Sequence, residues 1–121
     1  MTQPRLIRKY VNRRLYDTAE SRYVNLDDLR KLILEGEEIR VTERATGSDI
    51  TTSVLLQIIG ESQRDGSPLF EPQLLCEVIR ASARETDPNL PARLTAALSD
   101  ALREHERASA PSAAAVSGAG Y

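Results

Sequence analysis

Residues 6–33 read LIRKYVNRRLYDTAESRYVNLDDLRKLI, and the fold class turns on this stretch. Leu6, Ile7, Tyr10, Val11, Leu15 and Tyr16 are dense enough in β-formers to predict extended structure. In a strand over Leu6–Tyr10, alternation puts Arg8 and Tyr10 on one face and Ile7, Lys9 and Val11 on the other. Thr18–Arg22, TAESR, reads as a turn, and Tyr23 and Val24 as a short returning strand. Asn25 then suits a helix N-cap. Asp28, three residues on, completes a variant capping box, and Asp27 favours the positive end of the helix dipole. Leu26, Leu29, Leu32 and Ile33 recur on one helical face until Gly36 stops the helix.

The next stretch follows the same plan. Ile39–Glu43 reads as a strand, Ala45–Asp49 as a hairpin turn with Gly47 at its awkward backbone angle, and Ile50 as a short return. Thr51 or Thr52 caps a helix carrying Val54, Leu55, Ile58 and Ile59, ended by Gly60. A shift of 26 residues aligns Leu15 with Val41, Val24 with Ile50 and Leu29 with Leu55. This is either a structural repeat or the resemblance any two strand–turn–strand–helix stretches share. The expectation is an α+β fold: two consecutive ββα units forming a small antiparallel sheet with the helices on one face. A polar linker, Glu61–Pro68, follows. Pro72 opens a helix striped by Leu74, Leu75, Val78 and Ile79, and a further helix over Pro91–Arg107 carries Leu94, Leu98, Ala101 and Leu102. The expected division is residues 1–63, a helical oligomerisation or partner-binding region over 64–107, and a low-complexity, disordered tail over 108–121.

Composition bounds the function. Of 121 residues 40% are apolar but only 4% aromatic, so the core must be aliphatic. The net charge of -2 hides a partition. Arg5, Arg8, Lys9, Arg13 and Arg14 precede the first acid, Asp17. Residues 17–62 then carry ten acids against five bases, and the remainder eight against six. A basic arm is set against an acidic body. One cysteine and one histidine can build neither a disulfide nor a zinc cluster, which predicts a reducing cytoplasm and no metal or cofactor. No apolar run is long enough for a membrane span. Cys76, between leucines, reads as a buried inert thiol. Asp27 and Asp28 read as helix-terminal charge rather than an acid–base pair. No Ser/His/Asp or Cys/His set can be nominated, so the expectation is a protein that is not an enzyme.

In RKYVNRRLYDT cations interleave with tyrosine and asparagine. Arginine and lysine neutralise phosphates, arginine can grip a guanine edge, and asparagine can read adenine. The competing reading is a solvated arm paired with the acidic body. The strings KYVNRRLYDT, YVNLDDL and TGSDIT resemble the N-terminal DNA-binding domain of polyhydroxyalkanoate (polyhydroxybutyrate) synthesis and accumulation regulators. The resemblance spans about Ile7–Glu61, and SPLFEPQLLCEVIRAS is similar to the short helical module that follows in such regulators. It implies a cytoplasmic repressor of granule-associated and related genes, bound to promoter DNA and relieved when the polymer captures it. The matching positions Arg8, Lys9, Tyr10, Asn12, Arg13, Arg14 and Tyr16 are the expected DNA-binding residues. Double-stranded DNA and a second copy of the chain are the expected partners, with the polymer or granule surface as a further one. The alternative is an adaptor that binds granules or proteins and not DNA.

Overall fold

The computed structural model describes residues 3–62, 68–84 and 87–109. The chain divides into two compact units, residues 1–70 and 71–121. The first holds four strands, β1 (Arg5–Lys9), β2 (Leu15–Asp17), β3 (Arg22–Val24) and β4 (Ile39–Glu43), and two helices, α1 (Leu26–Leu34) and α2 (Thr51–Ser62). The second contains α3 (Pro72–Ser82) and α4 (Leu90–Ser109). The expected tail beyond Ser109 and the linker over residues 63–67 lie outside the described residues.

The α+β class and the strand–turn–strand–helix order are as read from the sequence. The sheet itself is mixed rather than antiparallel. Its order is β3-β2-β1-β4; β1 pairs antiparallel with β2 and β2 with β3, but β1 and β4 run parallel. The reason is the route of α1. A helix carries the chain from the end of β3 back to the starting edge of the sheet, so β4 must run in the direction of β3 and β1. The second returning strand shrinks to one bridge, Thr42 to Asp49. The two strand–turn–strand–helix stretches also differ in phase. Strand positions match at a shift of 26, but the helices begin at Leu26 and Thr51, 25 apart.

Strand alternation defines the core. Ile7, Leu15, Val24 and Val41 point to one face and meet Leu29 of α1 and Val54 and Ile58 of α2. Asn25 and Asp28 form the expected capping box, with reciprocal bonds of 2.7 and 3.0 Å. Gly36, at φ 98°, ends the α1 turn. At α2 the cap differs from expectation. Asp49 Oδ1 accepts from the Thr51 amide at 2.9 Å, while Thr51 Oγ1 accepts from the Val41 amide at 2.8 Å and so closes part of the β4 edge. Gly60 does not end α2, which continues to Ser62.

Arg5 belongs to this scaffold. Its guanidinium bonds Asp17 at 2.9 Å and approaches Glu20 and Glu37. Asp17 is 1% exposed and its other oxygen accepts from the Ala19 and Glu20 amides, fixing the turn after β2. The Asp17 hydrogen bond holds the Arg5 pKa above its ordinary value. The first cation of the basic arm is thus a structural tie.

In the second unit Pro72 occupies the first turn of α3, as expected. Neither α3 nor α4 contains a buried residue. Cys76, expected to be buried, is exposed.

Candidate nucleic-acid interface

Between β1 and β2 the chain makes a tight hairpin that the sequence reading treated as continuous extended chain. The Arg13 amide donates to the Tyr10 carbonyl at 2.8 Å and the Tyr10 amide to the Arg14 carbonyl at 2.9 Å. This is a three-residue loop of Val11, Asn12 and Arg13, whose last residue must be left-handed. Arg13 fills that place at φ 66°. Asn12 Oδ1 accepts from the Arg14 amide at 3.1 Å, so this side chain builds the turn. Val11 through Arg14 are all exposed.

The second face of the sheet carries the other set of alternating side chains. Arg8 pairs with Tyr16 and Thr42, Tyr16 with Tyr23, and Leu6 with Arg40. Residues directly opposite one another share a face, so these lie opposite Ile7, Leu15, Val24 and Val41. Within this unit α1 and α2 cover the core face and leave this one open. Tyr10 and Tyr16 stack at 6.0 Å between ring centres, and Tyr23 meets both edge-on, at 6.2 and 5.3 Å. Arg14 lies over Tyr23 with Cζ 4.9 Å from the ring centre, and Arg44 over Tyr10 at 5.4 Å. Beside them Arg8, Arg40, Thr42, Glu43 and Arg44 line a shallow groove of about 280 Å³.

Ion pairing separates the cations of this unit into two sets. Arg5, Arg22, Lys31 and Arg40 each contact a carboxylate. Among the described residues no carboxylate pairs with Arg8, Lys9, Arg13, Arg14, Arg30 or Arg44. Arg30 lies on α1; the other five sit on the open face or at the hairpin end of the sheet, where the Arg44 amide donates to the Lys9 carbonyl at 2.8 Å. The acids Asp17, Glu20 and Glu37 gather around Arg5 instead.

The structure brings together Arg8, Tyr10, Arg14 and Tyr16 of the residues expected from sequence. Lys9 falls on the opposite face, in register with Leu15 and Glu43. Asn12 and Arg13 form the hairpin tip, and Val11, expected on the Ile7 face, is 88% exposed there. Tyr23 and Arg44 were missed. Their signal was present: Arg40, Thr42 and Arg44 alternate with Ile39, Val41 and Glu43, and a hairpin turn at Thr18–Ser21 sets Tyr23 opposite Tyr16. Among the described residues there is no cluster of His, Cys, Asp and Glu able to hold a metal ion, and no helix long and apolar enough to cross a membrane.

A four-stranded sheet with an aliphatic face under two helices and an open face of tyrosine and arginine makes a small α+β domain with one face whose chemistry suits a polyanion. The family model for the PHB/PHA accumulation regulator DNA-binding domain matches residues 6–66, and the chain belongs to this family. The chain is 50% identical over 80 residues to an uncharacterized protein of Allochromatium vinosum, covering 66% of this chain and 52% of that one. It is 48% identical, also over 80 residues, to an "uncharacterized protein in phbA 5'region" of Thiocystis violacea, covering 66% of this chain and 58% of that one. The chain thus spans little more than half the length of these curated relatives. No solved structure matches it.

Proposed function

We propose that the chain is a cytoplasmic transcriptional regulator, a repressor of polyhydroxyalkanoate synthesis or granule-associated genes, that binds double-stranded DNA through the Tyr10–Leu15 hairpin and the adjoining open sheet face. The observation that carries this reading is the clustering of unpaired cations: among the described residues of this unit all of them but Arg30 lie at the open face or the hairpin end. A solvated arm serving only to neutralise the acidic body would pair with that body; Arg5 does, and Arg8, Lys9, Arg13, Arg14 and Arg44 do not. Unpaired guanidiniums on one surface are what counterion release from a duplex requires. Residues 1–63 serve as the DNA-binding domain in this reading.

The test is a titration of the full chain against labelled duplex from upstream of its own gene at several salt concentrations. If all five cations reach phosphates, log affinity falls with log salt at a slope of about 4.5 per chain. Replacing Arg13 and Arg14 by alanine flattens it by about two. A wild-type chain indifferent to duplex at low salt overturns the reading.

A second component is favoured by the unburied stripes of α3 and α4. Leu75 and Val78 are 40% and 39% exposed, and Leu98 and Leu102 are 47% and 60%. We assign the 64–107 region to homo-oligomerisation, which multiplies the cations offered to DNA. The same stripes suit an apolar granule surface, and an adaptor role without DNA is the reading left if the titration fails.

A further inference from the structure

We infer that Arg14 and Arg44 are pre-oriented phosphate ligands, held on the open face by Tyr23 and Tyr10, so that duplex DNA lies across strands β1 to β4 rather than on the hairpin alone. The inference rests on the DNA-binding reading and assigns it two residues, Tyr23 and Arg44, from outside the basic segment.

Arg44 is thirty residues from Arg14 in sequence, yet the parallel β1–β4 pairing returns it to the hairpin end of the sheet. Its amide is anchored on Lys9, and its guanidinium lies against Tyr10. Arg14 lies against Tyr23 on the other side of the same row of rings. The two guanidiniums therefore bracket one continuous aromatic cluster. A guanidinium stacked on a ring uses its face and leaves its N–H edge free, and that fork matches phosphate in bidentate fashion. Holding it there beforehand reduces the ordering cost of binding.

The ring of Tyr10 is flanked on both sides, by Tyr16 on the β2 side and Arg44 on the β4 side, and Tyr23, 47% exposed, carries the Arg14 guanidinium. An aromatic platform for single strands needs ring faces free to receive bases. This cluster supports arginines instead, which selects a duplex backbone. The groove lined by Arg8, Arg40, Arg44 and Glu43 carries three cations beside one acid along β1 and β4, with Arg40 paired to Asp49.

The experiment uses the full chain and fluorescence anisotropy on the labelled upstream duplex, with one strand of the same sequence as competitor. Arg44→Ala is expected to weaken duplex binding about tenfold and to lower the salt slope by about 0.9. Arg44→Lys keeps the slope but recovers only part of the affinity, because the charge survives and the stacked fork does not. Tyr23→Leu weakens binding at unchanged slope, and Tyr23→Phe restores it. Urea melts report whether each variant folds; if Tyr23→Leu does not, the two Arg44 variants decide. Wild-type affinity and slope in Arg44→Ala, full recovery in Arg44→Lys, or tighter binding of the single strand overturns the inference. A wild-type chain that binds no duplex fails the DNA-binding reading itself, a distinct outcome.

Discussion

The two faces of the sheet are woven from neighbouring residues and have almost nothing chemical in common. Ile7 is fully buried and packs among aliphatic side chains; Arg8, the next residue, is exposed beside tyrosines and has no carboxylate partner. One face is built by removing apolar area from water. The other keeps polar edges in water and rings against each other. Under the proposed function, affinity for a polyanion and stability of the fold fall on alternate positions of the same strands, so that a substitution changes one without the other.

Ile7 and Arg8 give the sharpest separation. Ile7→Ala leaves a cavity at the centre of a core of only seven buried apolar side chains and should cost about 3 kcal/mol in urea unfolding. Arg8→Ala should stay within about 0.5 kcal/mol of wild type while lowering DNA affinity and the salt slope. If both variants lose stability alike, the open face is part of the core and the division fails.

Asp17 tests the same division among charges. It lies on the buried face, and its oxygens satisfy Arg5 and two turn amides. Asp17→Ala should cost about 2 kcal/mol, since the partly exposed Arg5 and two turn amides lose a buried acceptor. The salt slope of the protein that remains folded should not change, because Arg5 is not a phosphate ligand. A slope raised by the freed Arg5 would place it in the interface after all.

How much of this was legible in the sequence varies with the physics involved. The α1 start was readable because a capping box is a local, four-residue signal carried by Asn25 and Asp28. The core was readable from periodicity at Leu29, Val41, Val54 and Ile58. The hairpin at Val11–Arg13 was not, because its left-handed position holds arginine where glycine or asparagine would have announced a turn, and Asn12 was available to be read as a base contact. Parallel β1–β4 pairing is a consequence of a tertiary crossover and leaves no mark on local spacing. Tyr23 and Arg44 join the site only through that pairing and the β2–β3 register. The basic segment was therefore visible as a string of charges, while the sorting of Arg5 from Arg14 needed to know which carboxylates fold back on which cation.

Arg13→Gly sharpens the comparison at the hairpin tip. Glycine takes a positive φ without the penalty a side chain carries, so the variant should gain up to about 1 kcal/mol of stability. It removes one cation and should weaken DNA binding. Stability and affinity moving in opposite directions, by urea melt and anisotropy, is the expected signature; a loss of both would mean that the Arg13 side chain braces the hairpin.

The smallest effect concerns Asp49, the bridge partner of Thr42 and the carboxylate that pairs with Arg40. Hydrogen bonds from Thr51, followed by Arg40, hold its pKa below the ordinary carboxylate value of 3.8. A depressed folded pKa contributes stability above the unfolded value, and that contribution is lost as pH falls through the folded one. Wild type should therefore lose the Asp49 contribution only below about pH 4. Asp49→Asn keeps an oxygen for the Thr51 amide, so α2 should retain its start and the melt at neutral pH should shift little, while the acid-dependent part attributable to this residue disappears. The substitution also removes the partner of Arg40 at the groove shared with Arg8 and Arg44. DNA affinity should rise modestly and the salt slope steepen by no more than about 0.9, as one further cation becomes available to phosphate. If affinity is unchanged, Arg40 lies beyond the reach of the duplex, and the interface ends at Arg8 and Arg44.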